Sequence, residues 1–240
     1  MDDKDTMSIF TKTDALGVTK EQIMCNTGTL GIPEFGTSFT IKLVEDTKPT
    51  TFGELIKIAG LSHGTDVWLG NAQELIQKNI VPFKETIGCR DDIMVYLMNK
   101  GMEPIKAFKI MEFVRKGKAT KDPETWKGHV ETMKASNIPE WYIESCHKIK
   151  YMFPKAHAAA YVMSAFRIAW YKVHMPVYFY SSWYTSKATD VDVEAMIKGY
   201  DAIKSRLEDN LAKGFEATNK KNGQAESLKV ALEATARGIK

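Results

Sequence analysis

Apolar side chains along this 240-residue chain recur at intervals of three and four residues, and no long stretch alternates apolar with polar positions. The first spacing places an apolar stripe on one side of an α-helix, whereas a half-buried β-strand needs the alternation. Several periodic stretches begin with a proline or end before a glycine, which are common start and stop signals of helices. The sequence therefore predicts an all-α or nearly all-α fold, an irregular assembly of many helices with long loops.

These signals also predict where the helices lie. The expected ranges are 2–11, 34–45, 50–59, 91–99, 104–116, 123–135, 139–151 and 154–175, followed by three shorter segments. Glycine-rich residues 60–64 are expected to end the third helix, and residues 220–223 to form the last break. In the helix that begins at Pro104, the predicted apolar stripe is Ile105, Phe108, Met111 and Val114.

Composition restricts the class of protein. With 44% hydrophobic and 26% charged residues, the chain can bury enough apolar surface to offset the entropy of folding. Three cysteines without CxxC spacing favour a reducing compartment over a disulfide scaffold or a zinc ribbon. The acidic start lacks a signal-peptide core, and charged residues interrupt the most apolar stretch before it reaches the roughly 20 residues of a membrane span. The expectation is a cytoplasmic protein without a membrane segment.

The positive charges are concentrated although the net charge is only +3. Residues 145–189 contain no Asp or Glu, and residues 100–121 carry seven Lys or Arg against Glu103 and Glu112. This pattern indicates a cationic surface that meets an anion. The alternative is a set of solvated helix faces without a ligand.

Residues 153–161, with the sequence FPKAHAAAY, form the most informative segment. A proline in the first helical turn leaves the next backbone amides free for an anion. Lys155 and His157 lie in that turn, and Tyr161 follows His157 on the same side of the helix, so a nucleotide could place its phosphates and ring here. In the alternative interpretation the alanines serve helix packing and His157 is a capped core residue.

Two further segments carry candidate residues. Arg90, beside a glycine and before a helix, suits a phosphate contact, whereas the adjacent Asp91 and Asp92 diverge by about 100° and suit N-capping better than metal binding. The basic group Arg115, Lys116 and Lys118 either stabilises a helix C-terminus or contacts a nucleic-acid backbone. The histidines and cysteines have no metal-ligand spacing, and residues 60–71 are not a Walker loop.

Five segments taken together resemble a known family. They are GIPEFG at 31–36, GLSHGTDVWLGNA at 60–72, IGCRDDIM at 87–94, FPKAHAAAY at 153–161 and WYKVHMP at 170–176. The last two closely resemble the fingers of bacterial replicative DNA polymerase III alpha subunits, and the first three resemble the Gram-positive PolC type. The resemblance covers roughly residues 29–199.

The resemblance implies that this is a part of a larger polymerase. Residues 1–50 would join the palm to the fingers, and residues 51–240 would be the helical fingers region. The palm, with the aspartates that bind Mg²⁺, and the exonuclease would precede this chain, and a C-terminal segment would follow it. No catalytic or metal-binding residue is then expected here, and the chain alone would be inactive. The implied reaction is attack of the primer 3′-hydroxyl on the α-phosphate of a dNTP, with two metal ions in the palm.

The resemblance also implies roles for the candidate residues. Lys155 and Arg90 would contact the dNTP triphosphate with His157 nearby, and Tyr161 would pack near the sugar or base. Arg115, Lys116 and Lys118 would hold phosphates of nucleotide or DNA, and the loop that contains His63 and Asn71 would lie near the template or base pair. The implied partners are primer-template DNA, dNTP, the palm and other parent domains, and, through the parent, the sliding clamp and replisome subunits.

A second hypothesis remains beside the first. A non-enzymatic helical module that binds nucleic acid or protein would also bind DNA in a salt-sensitive way. Only the polymerase hypothesis predicts that Lys155→Ala weakens dNTP use and leaves the fold intact. A stand-alone metalloenzyme or hydrolase has no ligand set or catalytic triad in this sequence.

Overall fold

The computed structural model describes residues 2–212 and 219–239. Within them the regular structure is helical, and the strand-like pairing is an isolated bridge between Thr65 and Tyr151. The predicted all-α fold is thus confirmed. The chain divides into two compact units, one of Met1–Thr50 with Met163–Lys240 and one of Thr51–Val162.

The α-helices follow one another along the chain with short 3₁₀ or π turns at Asp14–Leu16, Trp68–Ala72 and Phe83–Glu85. They are α1 Lys4–Ser8, α2 Lys20–Ile23, α3 Ser38–Thr47, α4 Phe52–His63, α5 Gln73–Gln77, α6 Arg90–Asn99, α7 Pro104–Arg115, α8 Pro123–Ala135, α9 Glu140–Lys148, α10 Lys155–His174, α11 Pro176–Ser186, α12 Val193–Lys198, α13 Tyr200–Ala212 and α14 Asn219–Ala236. None of the helices in the described part of the chain is long and apolar enough to cross a membrane.

Most predicted helix starts are confirmed because they depend on local capping. Pro123 begins α8 after Asp122, whose carboxylate accepts a hydrogen bond from the Thr125 amide at 3.1 Å. Thr51 and Glu54 form a capping box at the start of α4. Such side chains satisfy backbone amides that have no partner inside the helix.

The predicted break at residues 220–223 is wrong, and the one at residues 60–64 is only partly correct, because α4 ends at His63 before Gly64 and not at Gly60. Gly60 lies inside α4, which continues to His63, and residues 220–223 lie inside α14. A side chain at position 60 would overlap the backbone of Gly88, whose carbonyl carbon would be 2.9 Å from the added atom. Gly60 therefore permits a close approach between α4 and residue 88 rather than a break in the helix.

The predicted apolar stripe of α7 is only partly correct. Met111 and Val114 are buried, but Ile105 is 61% and Phe108 49% exposed. The helix instead buries Ala107, Ile110, Met111, Phe113 and Val114. On this face the Phe113 ring packs parallel to Trp126 of α8, with centroids 6.3 Å apart.

The first unit has a core of aliphatic and aromatic side chains. Phe10 meets Phe35 edge-on at 4.9 Å and stacks on Phe166 at 6.0 Å between centroids. A second cluster joins α12, α13 and α14 through residues that include Ile203, Leu207 and Leu232. The packing of α14 against α2 joins the N-terminal residues to the last helices.

The second unit packs α4, α6, α7 and α9 around a core of its own. Its fully buried members include Leu55, Ile58, Ile93 and Leu97. Tyr142 of α9 lies beneath Tyr96 of α6, with stacked rings 4.0 Å apart. This core fixes the loop ends that carry the candidate site residues.

Candidate functional site

The extended segment 150–153 between α9 and α10 brings distant parts of the second unit together. Its backbone hydrogen bonds join the amide of Thr65 to the carbonyl of Tyr151 at 2.9 Å, the amide of Met152 to the carbonyl of Arg115 at 3.2 Å, and the amide of Arg90 to the carbonyl of Phe153 at 3.1 Å. The loop after α4, the end of α7 and the start of α6 therefore meet where α10 begins.

A carboxylate already occupies the start of α10. Asp91 Oδ2 accepts a hydrogen bond from the Lys155 amide at 2.6 Å. Asp92 Oδ2 accepts from the amides of Gly88 and Cys89 at 3.0 and 3.2 Å. The predicted capping of α6 is confirmed for Asp92, whereas Asp91 caps α10 instead of its own helix. The Lys155 amide is thus engaged within the protein, and its ammonium group is what remains available to a ligand.

Two lysines share the Asp92 carboxylate. Lys155 Nζ lies 3.7 Å from Oδ1 on the exposed side, and Lys57 Nζ lies 3.8 Å from Oδ2. Lys57 also donates to the carbonyls of Lys84 and Thr86 at 2.7 and 2.6 Å, and burial lowers its pKa. Sequence reasoning missed Lys57, because a lone lysine among the apolar residues of α4 carries no motif.

Three cations converge on one carboxylate at the end of α7. Glu112 accepts two hydrogen bonds from the Arg115 guanidinium, lies 2.8 Å from Lys116 Nζ, and lies 3.7 Å from an Nη atom of Arg90. The Nε atom of Arg90 is buried and has no hydrogen-bond partner among residues 2–212 and 219–239. Sequence reasoning missed Glu112, although its spacing to Arg115 and Lys116 is that of helical ion pairs. We call Arg90, Arg115, Lys116 and Glu112 the cation cluster.

Acid should weaken the cation cluster. Hydrogen bonds from Arg115 and then Lys116 lower the pKa of Glu112 from 4.5 to about 2. A folded-state pKa below the unfolded value contributes stability above the unfolded pKa, and this contribution is lost as the pH falls through the folded pKa. We expect Glu112→Gln to remove the part of the acid destabilisation that falls between pH 4.5 and about 2.

The measurement is the free energy of unfolding by denaturant across that pH range. The matched control is Glu103→Gln at the other end of α7, whose carboxylate is more exposed and lies 3.6 Å from Lys106. Equal pH slopes for the unmodified chain and Glu112→Gln would contradict the assignment.

A row of rings runs beside these charges. Phe153 stacks on His157 at 5.0 Å, His157 lies 4.6 Å from Tyr161, and Tyr151 meets Phe153 edge-on at 5.1 Å. Tyr151 is 44% and Tyr161 50% exposed. We call Tyr151, Phe153, His157 and Tyr161 the ring row. Exposed rings offer flat faces on which a base can stack.

The other predicted residues lie in different settings. His63 at the end of α4 is exposed and meets Phe153 edge-on at 6.0 Å, so it extends the ring row. Lys118 is exposed in the turn after α7. Asn71 is buried: its Nδ2 donates to the carbonyls of Asp66 and Ser145 at 3.0 and 3.1 Å. Asn71 therefore stabilises the loop through these hydrogen bonds, and its buried side chain does not offer the surface contact predicted from the sequence.

The carboxylates near the site do not suit a metal ion. Asp91 and Asp92 are engaged by backbone amides and lysines. Across residues 2–212 and 219–239, no group of three or more His, Cys, Asp or Glu residues could hold a metal.

The sequence profile of the bacterial DNA polymerase III alpha subunit finger domain matches residues 1–137. The chain belongs to this family. It is 60% identical over 237 residues to the PolC-type DNA polymerase III of Bacillus subtilis, and 53% identical over 240 residues to that of Staphylococcus epidermidis. These alignments cover 99% and 100% of the chain but 16% of each relative. The fingers domain spans about one sixth of the length of the curated relatives that it matches, and the resemblance to PolC is confirmed.

Proposed function

We propose that this fingers domain binds the triphosphate of an incoming dNTP and contacts primer-template DNA during nucleotidyl transfer by a PolC-type polymerase. The observation that carries the proposal is the convergence of the cation cluster and Lys155 beside the ring row. Phosphates need cations, and the nucleoside needs a flat surface. Both are present at one place in the second unit.

The arginines supply the most specific phosphate contacts. A guanidinium presents a planar fork of donors that fits phosphate oxygens in pairs. The Nε–H of Arg90 is a buried donor without a partner in the described part of the chain, and an unmade hydrogen bond of this kind is costly. A phosphate oxygen near Arg90 and Arg115 would satisfy it. Glu112 meanwhile holds like charges together in the absence of a ligand.

Lys155 and the ring row complete the proposed site. The Lys155 ammonium is exposed at the start of α10, where it can follow a phosphate without breaking the bond between its amide and Asp91. His157 and Tyr161 lie along the same helix and are proposed to pack near the sugar or base. Lys118 and His63 at the margins are proposed to contact phosphates of DNA.

The proposal places the Mg²⁺ ions in the palm of the parent polymerase. Two metal ions there would activate the 3′-hydroxyl and stabilise the leaving pyrophosphate, and the fingers domain would position the triphosphate. The parent's other domains and, through it, the sliding clamp and replisome subunits are further proposed partners.

The test uses a longer protein that includes the upstream palm. Lys155→Ala and Arg90→Ala are expected to lower the apparent dNTP affinity or the maximal rate of single-nucleotide primer extension by roughly ten- to a hundred-fold. Loss of a charge-assisted phosphate contact costs about 1.5–3 kcal/mol. The matched control is Lys127→Ala, an exposed lysine of α8, which should extend primers normally.

Two outcomes would contradict the proposal. Unchanged kinetics for both variants would show that the triphosphate does not bind at the start of α10. Arg115 and Lys118 would then be the next candidates for the phosphate contact. Weaker DNA binding with unchanged dNTP dependence would instead favour a module that binds nucleic acid without handling the nucleotide.

A further inference from the structure

A groove of about 310 Å³ lies in the first unit, where α11 meets the second half of α10. Its lining includes four rings, those of Tyr171, Tyr178, Phe179 and Trp183. Tyr178 is 72% and Tyr171 49% exposed. We call this the aromatic groove. An exposed apolar patch of this kind commonly marks a binding surface.

A glycine lines the aromatic groove at a position where a larger residue would not fit. Gly31 has φ +73°, and a side chain there would lie 3.1 Å from Trp183 Nε1 and 3.2 Å from the Phe179 ring. Any other residue would be strained in that conformation and would fill the space against the rings. The groove therefore depends on backbone shape as well as on ring placement.

Hydroxyls and cations accompany the rings. Ser182 and Ser186 follow Tyr178 at intervals of four residues, so they share its face of α11, and both line the groove with Lys187. Arg167 lies one turn before Tyr171 on α10. Neither Arg167 nor Lys187 forms an ion pair within the described residues. Residues 145–189 contain no Asp or Glu, so no carboxylate from this stretch repels an anion.

These features favour a single nucleic-acid strand over a protein. Unpaired bases stack on Tyr and Trp rings whatever their sequence, while cations hold the backbone. A duplex keeps its base faces stacked inside. Lys187 in the lining and the exposed Arg167 on α10 favour an anionic partner. We propose that the aromatic groove binds unpaired bases of a DNA strand, such as template not yet copied. The inference rests on the proposed function, which makes DNA the partner of the chain.

The test measures fluorescence anisotropy of a labelled oligo(dT) strand and of a blunt hairpin duplex with the 240-residue chain. Tyr178→Ala is expected to weaken oligo(dT) binding roughly five- to a hundred-fold, the effect of losing one stacked base, and to change duplex binding far less. Tyr178→Phe keeps the ring and should retain binding. The control is Ile197→Ala, an exposed apolar residue of α12 in the same unit.

Several results would overturn the inference. These are equal oligo(dT) binding by Tyr178→Ala, an equal loss for strand and duplex, or no oligo(dT) binding by the unmodified chain. If Tyr178→Ala instead impaired the folding of the palm-containing protein and left oligo(dT) binding unchanged, the groove would be an interdomain surface. Primer extension with Lys155→Ala tests the proposed function separately. If Lys155→Ala shows the expected loss of dNTP affinity or rate while Tyr178→Ala binds oligo(dT) as tightly as the unmodified chain, only the groove assignment is wrong.

Discussion

Glu233→Ala is expected to lower the free energy of unfolding by roughly 3–5 kcal/mol, the typical cost of leaving a buried charge without its partner. The partner is Lys172, which is completely buried with its ammonium 2.6 Å from Glu233. The same ammonium donates to the carbonyls of Gly28 and Leu30 at 2.8 and 2.6 Å. Burial lowers the pKa of Lys172, whereas the nearby Glu233 carboxylate favours the charged form.

Denaturant unfolding of three variants separates the effect of losing the charge on stability from the effect of placing alanine in the helix. Glu226→Ala, at an exposed position of α14, controls for the effect of alanine in that helix and should change stability little. The double variant Lys172→Met with Glu233→Leu removes both charges, and buried pairs replaced in this way often regain stability. It should therefore recover much of the loss, although the carbonyls of Gly28 and Leu30 lose a donor. A single variant as stable as Glu226→Ala would show that the pair contributes little.

The buried pair also marks what sequence could not predict. In the sequence, Lys172 interrupts an apolar stretch and argues against a membrane span. The structure buries it completely because Glu233, far along the chain, and two backbone carbonyls satisfy its charge. No local sequence pattern predicts such a partner, because the groups that compensate the buried charge come together only in the folded chain.

Local signals were sufficient for most of the helices. The starts of α7 and α8 follow from Pro104 and Pro123, which suit the first helical turn. Gly60 was misread because a glycine inside a helical pattern can either end the helix or admit a close neighbour. The neighbour here is the backbone of Gly88, and this contact depends on tertiary structure that the local sequence does not show.

Several cations and rings of the candidate site could be selected from the sequence, but not their assembly. Arg90, Arg115 and Lys155 stand at helix ends, where a phosphate ligand is plausible from position alone. Their association depends on Glu112 and on segment 150–153, which joins elements distant in sequence. Their roles in binding dNTP remain predictions.

Gly117→Ala is expected to destabilise the fold by roughly 2–5 kcal/mol. Gly117 has φ +63°, and an added methyl group would overlap the Lys150 carbonyl oxygen and lie 2.9 Å from the Lys150 Cα. The left-handed conformation costs an alanine about 1–2 kcal/mol, and overpacking adds about 1–3 kcal/mol. Backbone has little freedom to retreat here, because the Met152 amide is bonded to the Arg115 carbonyl.

Gly101→Ala isolates the two contributions, because Gly101 has φ +84° and nothing within 4 Å of an added methyl group. It should show the conformational cost alone, so the difference in unfolding free energy between the two variants measures the collision with Lys150. Moving segment 150–153 would also displace Phe153 from His157 and Arg115 from Arg90. In the palm-containing protein we therefore expect Gly117→Ala, but not Gly101→Ala, to weaken apparent dNTP affinity in primer extension. Equal effects of the two variants on stability and on dNTP affinity would mean that the approach of Gly117 to Lys150 does not hold the proposed site together.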